Sequence, residues 1–312
     1  MEAGTQVAAA PGTHVLGARR RRWGEGAIKA ALLLAAAISV LTTVLIVVAL
    51  VKESVPFFRE VGGAFFTGDE WSPLFNDPEF GVRPLVIGTL LVTGIAVLVA
   101  VPVGLGSAIY LSEYASPRTR RIVKPILEVL VGVPTIVFGF FALTFITPTI
   151  LQDLLHLDVQ VFNALSAGLI MGFMIVPTIA SISEDAMSAV PQGLREGAYG
   201  MGATRRQVST RVVFPAAISG IVASIVLGIS RGIGETMIVL IAAGLAPSNG
   251  LNPVDPHATI TGFMAATAKG DNPAGTIGYQ SIFALGLTLF VLTLVMNMIA
   301  IRFVRKYRQV YE

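Results

Sequence analysis

Two charged side chains interrupt a long apolar stretch in the second half of the chain. The segment reads Leu227-Gly-Ile-Ser-Arg-Gly-Ile-Gly-Glu-Thr236, so Arg231 and Glu235 are four residues apart. On a continuous helix this spacing places both side chains on one face. A charge near the centre of a bilayer costs about 2.5–3.5 kcal/mol on insertion scales. We therefore expect both groups to face protein or water rather than lipid.

This charged pair allows two interpretations. In the first, Arg231 and Glu235 form a structural ion pair that holds helices together. In the second, they line a transport route: the arginine attracts an anion, and the glutamate accepts a hydrogen bond from a protonated oxyanion such as hydrogen phosphate. The glutamate would repel an anion that lacks this proton. Gly232 and Gly234, beside the pair, permit close backbone approach or local unwinding. We favour the transport interpretation.

The composition indicates the elements that must position these groups. Of the 312 residues, 54% are hydrophobic and 13% are charged, whereas soluble domains carry about 25% charged residues. A helix needs about 20 apolar residues to cross a membrane. The charge-poor runs predict six membrane-spanning helices, which makes the chain an all-α polytopic membrane protein. The predicted spans are 30–51, 85–112, 126–149, 164–186, 215–243 and 281–304.

The basic residues predict the orientation of these spans. Sixteen of the 22 Lys and Arg residues form four clusters of four, before span one, between spans two and three, between spans four and five, and after span six. The positive-inside rule places all four clusters, and both termini, in the cytoplasm. We expect the first cluster, Arg19–Arg22, to meet anionic lipid. The apolar run after it is too long for a signal peptide and lacks a cleavage site, so we interpret it as a retained span.

The sequence argues against several other classes of function. It contains no cysteine, so thiol chemistry and disulfide bonds are excluded. Its three histidines lie in separate segments and suggest no metal cluster. The GxxxxGK[ST] loop of ATPases is missing. With a net charge of only +3, nothing indicates a nucleic-acid partner. We expect no catalytic residue, no metal and no cofactor.

The segment 191–215, between spans four and five, carries the most specific pattern. Pro191 can begin a short amphipathic helix, Gly202 allows a turn with positive φ, and Pro215 stands at the start of span five. A short helix held between two spans can move both when it is pushed. The simpler alternative is an ordinary amphipathic loop.

This segment resembles the EAA loop of ABC importer permeases, which has the pattern Glu-Ala-Ala, three residues, Gly, nine residues, then Ile-x-Leu-Pro. Gly197, Val212 and Phe214 are mild departures from it. The resemblance implies a type I importer permease fold, in which the loop docks onto a cytoplasmic ATPase. The residues that it assigns to ATPase coupling are Glu196, Ala198, Gly202, Arg205, Arg206 and Pro215.

Within that superfamily, residues 30–305 are similar to the PstC-type permeases of phosphate-specific transport systems. Four motifs and an external Trp71-Ser-Pro segment carry the similarity; the motifs begin at Pro84, Ala108, Gly132 and Arg231. The resemblance implies a prokaryotic inner-membrane complex with a second permease of PstA type, two ATPase subunits of PstB type and an external phosphate-binding protein of PstS type. It also implies that Arg231, Glu235 and Thr236 contribute to the substrate pathway.

We divide the chain into four parts. Residues 1–29 form a partly disordered cytoplasmic tail, 30–83 the first span with an external segment, 84–305 the transport domain and 306–312 the C-terminal tail. The leading hypothesis is a phosphate pathway in which ATPase closure pulls the helix at 196–206 and moves spans four and five. The alternatives are a permease for sulfate or molybdate and an ion-driven secondary transporter, although no inverted repeat is visible. An intramembrane enzyme or a membrane anchor for signalling has no supporting motif.

Overall fold

Helices make up most of the computed structural model, which describes residues 23–73, 77–270, 273 and 275–307. The predicted basic cluster Arg19–Arg22 and residues 308–312 of the predicted C-terminal tail lie outside the described residues. Helix α1 already begins at Trp23, inside the predicted tail 1–29.

The chain divides into two compact units, residues 1–49 and 50–312. The described part of the first unit belongs to helix α1, Trp23–Val61. All side chains at residues 25–46 are exposed, although most of them are apolar. Exposed apolar residues over such a length suit a helix that faces lipid.

The second unit contains the end of α1 and all the remaining elements. Its α-helices are α2 (Ala64–Thr67), α3 (Arg83–Ile109), α4 (Pro117–Val131), α5 (Thr135–Phe141), α6 (Ala164–Ser188), α7 (Gln192–Gly200), α8 (Arg205–Val208), α9 (Phe214–Ala216), α10 (Ile218–Ile233), α11 (Ile260–Ala268) and α12 (Ile277–Tyr307). Four π-helical segments extend them, π1 (Tyr110–Tyr114), π2 (Ala142–Leu154), π3 (Ser209–Val213) and π4 (Val239–Ala243). Two short strands, β1 (Trp71–Ser72) and β2 (Glu79–Phe80), pair antiparallel.

The membrane-spanning helices agree with the predicted all-α fold. Five helical stretches are long and apolar enough to cross a membrane, and a sixth span forms if the bent pair Arg205–Ala216 and Ile218–Ile233 is counted as one. The two members of this pair meet at 71°. The number of spans is therefore five or six, and the prediction of six stands with a bend at the start of span five.

The predicted start of span three, at residue 126, is wrong. Helix α4 ends at Val131, and a new helix begins at Thr135 and continues through π2 to Leu154. Proline lacks the backbone N–H that a continuing helix requires, and Pro134 follows the helix-ending Gly132 closely. Helix α4 is instead a separate amphipathic helix with no fully buried residue.

The main core lies where α3 and α6 pack together over most of their length. Glycines on α6 allow this close approach. A Cβ atom built on Gly168 would lie 2.6 Å from the Ile95 Cβ, and one on Gly172 would lie 2.8 Å from the Ala96 carbonyl oxygen. Small residues at helix contacts are typical of membrane proteins, because van der Waals packing drives their association. Spans two and four therefore form a tightly packed pair.

The segment between α1 and α3, predicted to be external, folds around aromatic rings. Trp71 and Phe80 are paired across the two strands, and their rings meet edge to face at 5.8 Å. The Trp71 ring also contacts Phe263 of helix α11 at 5.4 Å. Helix α11 lies in the connection between the predicted spans five and six. These contacts hold α11 in place beside the spans.

Candidate functional site

Arg231 lies in the last turn of α10 and reaches towards span four. Its Nη1 donates a hydrogen bond to the Thr178 hydroxyl of α6 at 3.2 Å. A guanidinium carries five N–H donors, and no other acceptor within the described residues takes a hydrogen bond from this one. The side chain is partly exposed. Arg231 is therefore a cation within span five, and most of its donors have no partner among the described residues.

Glu235 lies beyond the end of this helix. Helix α10 ends at Ile233, and a second helical stretch begins at Met237 and continues through π4. The expectation that Arg231 and Glu235 share one face of a continuous helix is therefore wrong. The chain breaks at Gly234, a residue for which no Cβ restricts the backbone. Within the described residues, Arg231 and Glu235 do not form an ion pair with each other.

The break is stabilised by local hydrogen bonds. The Glu235 Oε1 accepts the backbone N–H groups of Met237 and Ile238 at 2.9 and 3.2 Å, so this carboxylate caps the second helical stretch. The Thr261 hydroxyl of α11 donates to the Glu235 carbonyl oxygen at 2.6 Å. Thr236, the third predicted pathway residue, is partly exposed, and its hydroxyl donates to the Gly234 carbonyl oxygen at 3.3 Å.

The charges at the break agree with the dipoles of the two helical stretches. Arg231 is at the C-terminal end of α10, where a positive charge is favourable, and Glu235 is at the N-terminal end of the next stretch, where a negative charge is favourable. The Glu235 Oε2 accepts no hydrogen bond from the described residues. Among the described residues, the break therefore leaves one carboxylate oxygen and several guanidinium N–H groups without a partner, and these are the group types that hydrogen-bond an anion carrying a proton.

The segment 191–215 contains the predicted short helix, the predicted turn and a second short helix after the turn. Pro191 is the N-cap of α7, and Gly202 has a φ of 82°. Thr204 and Gln207 then form a capping box at the start of α8, in which each side chain bonds the backbone of the other. We call residues 191–217 the coupling segment below.

The six residues predicted for ATPase coupling differ in exposure. Ala198 is 6% exposed and packs inside the segment. The charged or turn residues are accessible to a partner; these are Glu196, Gly202, Arg205, Arg206 and Pro215. Arg205 lies over the Tyr114 ring, with 5.3 Å from its guanidinium carbon to the ring centroid. The segment therefore has a mostly exposed surface, which buried Ala198 and the contact of Arg205 with Tyr114 attach to the rest of the protein.

A buried ion pair that we did not predict joins this segment to the end of span two. The Arg195 Nη1 of α7 donates to the Glu113 Oε1 of π1, and the Nη2 donates to the Met187 carbonyl oxygen at 2.7 Å. The Arg195 and Glu113 side chains are 12% and 3% exposed. Arg195 stands next to Glu196 in the sequence, but nothing in the sequence indicated that its partner is 82 residues away.

A second buried cluster joins α4 to the end of α6. The Glu184 side chain is 1% exposed and pairs with Arg120 and Lys124, while Lys124 also bonds Asp185. Glu184 is therefore not a solvated helix end, whereas the neighbouring Asp185 is 60% exposed. The hydrogen bonds that Lys124 donates to Asp185 and to Glu184 raise the pKa of Lys124 above its usual value, so this amine stays protonated at physiological pH.

Within the part of the chain that the structure describes, no group of three His, Asp or Glu side chains is arranged to hold a metal. His257 is 1% exposed, and its ring nitrogens lie 3.1 and 3.0 Å from the Asp255 and Gly250 carbonyl oxygens. These contacts give His257 a structural place in the loop before α11.

Comparison with known proteins places the chain in a family. A family model described as "Binding-protein-dependent transport system inner membrane component" matches residues 100–309. The phosphate transport system permease protein PstC of Haemophilus influenzae is 31% identical over 307 residues, covering 92% of this chain and 95% of the relative. The probable ABC transporter permease protein YqgH of Bacillus subtilis is 34% identical, covering 79% of this chain and 78% of the relative.

Solved structures show the same fold. A chain of a bacterial alginate ABC transporter, crystallised with an alginate-bound periplasmic protein, superposes with a TM-score of 0.61 at 20% identity, covering 94% of this chain and all of that one. A chain of the inward-facing MetNI methionine ABC transporter superposes with a TM-score of 0.54 at 19% identity, covering 73% of this chain and 95% of that one.

These matches confirm the predicted class of protein. Permeases of this family are transport pathways rather than enzymes, and they work with an ATPase and a substrate-binding protein. Membership of this family also argues against the alternative hypothesis of an ion-driven secondary transporter. This chain belongs to the binding-protein-dependent transport system inner membrane components, as a multi-pass ABC importer permease of PstC type from a prokaryotic inner membrane.

Proposed function

We propose that this chain forms part of the membrane pathway for inorganic phosphate in an ATP-driven importer. The observation that supports the proposal most directly is the break in span five. There Arg231 keeps most of its N–H donors free, and the Glu235 Oε2 has no partner among the described residues. Hydrogen phosphate carries negative charge for the guanidinium and one proton for the carboxylate. Three relatives at 31–34% identity are named phosphate transport permeases.

Sulfate and molybdate are the competing substrates. Both are doubly charged oxyanions without a proton near neutral pH, so each would bring its charge against the free oxygen of Glu235. A buried hydrogen-bonding group left without its partner makes discrimination strong. The same arrangement therefore accepts hydrogen phosphate and disfavours the other two, and Thr236 adds a hydroxyl beside the break.

The coupling segment supports the second half of the proposal, the link to an ATPase. Helix α7 presents Glu196 and the helix after the turn presents Arg205 and Arg206. These residues, with Gly202 and Pro215, would dock onto the ATPase, and movement of α7 would shift spans four and five. We assign this face and both termini to the cytoplasm, because the positive-inside rule predicts that side for all four basic clusters of the sequence. In this arrangement residues 84–305 are the transport domain.

We propose four kinds of partner for this chain. They are a second permease of PstA type, two ATPase subunits of PstB type, an external phosphate-binding protein of PstS type, and membrane lipid around α1 and α12. The exposed apolar side chains of α1 and α12 suit lipid or the second permease.

The test is uptake of labelled phosphate by proteoliposomes that contain the assembled complex. We expect ATP-dependent uptake that requires this chain and is not reduced by a large excess of sulfate or molybdate. Effective competition by either anion would contradict phosphate specificity. Uptake that is unchanged when this chain is omitted would contradict the pathway role itself.

A further inference from the structure

The π-helical turn π1, at the end of span two, contacts the coupling segment through two adjacent side chains. Glu113 forms the buried ion pair with Arg195 of α7. Its neighbour Tyr114 lies under Arg205 of α8, at a distance typical of a cation–π contact. The two arginines stand on opposite sides of the Gly202 turn. Both helices of the coupling segment are thus attached to one turn of span two.

The Glu113–Arg195 contact differs from an ordinary surface ion pair. Both side chains are almost completely buried, so water does not screen the attraction, and separating the charges would leave each one unpaired in a poorly solvated place. Arg195 is also bonded to the Met187 carbonyl oxygen at the end of span four. The guanidinium therefore connects α7, span two and span four, and a movement of α7 cannot leave π1 behind without breaking this pair.

Span two in turn contacts the last turn of α10 in span five, just before the break. A Cβ atom built on Gly232 would lie 3.3 Å from the Thr93 Cγ2 of α3. Gly232 is next to Arg231, so α3 contacts α10 beside the arginine that we assign to the substrate. The sequence had indicated movement of spans four and five alone.

We propose that Arg195 and Glu113 carry the movement of the coupling segment to span two, which presses on span five beside Arg231. Arg195 is in this sense a positioning residue, distinct from the exposed residues that face the ATPase. The proposal rests on the proposed coupling function of the segment. A π turn at the end of span two suits this role, because such turns are frequent at functional positions.

The variants must separate transmission from structural support. Removing one charge leaves its partner buried and unpaired, so Glu113→Gln and Arg195→Met alone are expected to reduce assembly of the complex. The double variant Glu113→Gln/Arg195→Met removes both charges, and such replacements are often tolerated structurally. Arg118→Met is the matched control, because it removes an exposed arginine of α4, just after π1, that lies outside the buried pair.

We measure assembly, ATP hydrolysis and phosphate imported per ATP in proteoliposomes. In the double variant we expect near-normal assembly and ATP hydrolysis, with phosphate imported per ATP reduced about 10-fold, within the range of coupling between distant sites. The control should match the wild type. A double variant that assembles and imports as much phosphate per ATP as the wild type would overturn the proposal and leave the pair a purely structural role.

A distance measurement covers the case in which the double variant fails to assemble. The chain has no cysteine, so spin labels can be placed at the exposed positions Tyr110, Met201 and Met298. On ATP binding we expect the 110–201 distance to stay constant and the 201–298 distance to change. A 110–201 distance that changes, or a 201–298 distance that does not, would also overturn the proposal. A wild-type complex that imports no phosphate would contradict the proposed function instead, so the two failures remain distinct.

Discussion

Two of the regions in which arginine and glutamate occur together, the base of the coupling segment and the break in span five, behave differently. Under the coupling segment, Arg195 and Glu113 are buried and bond each other. At the break in span five, a threonine hydroxyl is the one hydrogen-bond partner of Arg231 within the described residues, and Glu235 uses one oxygen as a helix cap. Charges that satisfy each other hold helices together, whereas charges kept apart remain available for a ligand. The contrast agrees with the two roles that we propose, transmission of movement under the coupling segment and substrate binding at the break.

The two regions should also respond differently to mutation. A buried ion pair contributes through the cost of breaking it, so loss of one partner should affect stability before transport. The charges at the break are compensated by helix ends, so their loss should affect transport first. The predictions below test this difference, beginning with the largest expected change in stability.

Glu184→Gln should give the largest loss of stability. It leaves Arg120 and Lys124 without their buried carboxylate. Breaking a buried pair costs about 3–5 kcal/mol, and we expect about 3 kcal/mol here because both cations are partly exposed. The measurement is thermal unfolding of the purified complex. The control is Asp185→Asn, which removes an exposed partner of Lys124 and should cost about 1 kcal/mol or less. Equal effects from the two variants would contradict the structural role of Glu184.

Glu235→Ala and Glu235→Gln should distinguish the role of Glu235 as a helix cap from the role of its negative charge. Alanine removes the acceptor for the Met237 and Ile238 N–H groups and should cost about 1 kcal/mol. Glutamine keeps an acceptor oxygen, so we expect stability near that of the wild type but easier competition by sulfate. The measurements are thermal unfolding and phosphate uptake with added sulfate. If glutamine left the competition unchanged, the carboxylate would have no part in selecting the anion.

Gly202→Ala should give a smaller, local effect. A left-handed conformation costs a residue with a Cβ atom about 1 kcal/mol, and no atom lies within 4 Å of the position that this Cβ would take. We therefore expect a small loss of stability and a moderate loss of ATP-coupled uptake. Gly200→Ala, on α7 with equally open space and no positive φ, is the control. Identical behaviour of the two variants would show that the turn geometry does not matter.

Much of this fold could be predicted from local sequence. The apolar runs locate five or six spans because a bilayer demands about 20 such residues in succession. The positive φ at Gly202 was predicted because glycine tolerates it best. The early end of α4 was missed because the absence of charge after Glu128 outweighed the signal from Gly132 and Pro134. Gly132 and Pro134 would have predicted the end of α4 correctly.

The contacts between distant residues could not be predicted in the same way. Glu113 and Arg195 are 82 residues apart, and Lys124 and Glu184 are 60 apart. Each pair depends on how whole helices pack, which no local spacing encodes. At the break, the four-residue spacing of Arg231 and Glu235 suggested a shared face, but Gly234 and the capping carboxylate ended the helix between them.

We propose that Arg231 binds the transported anion and that the coupling segment transmits the movement of the ATPase. The direct measurement is labelled-phosphate uptake by an assembled complex carrying Arg231→Ala, with ATP hydrolysis measured on the same sample. Loss of one charged partner typically costs about 2 kcal/mol or more. We therefore predict uptake reduced at least about 30-fold, with assembly preserved and the Arg118→Met control unaffected. A normally assembled Arg231→Ala complex that imports phosphate at the wild-type rate would contradict the account.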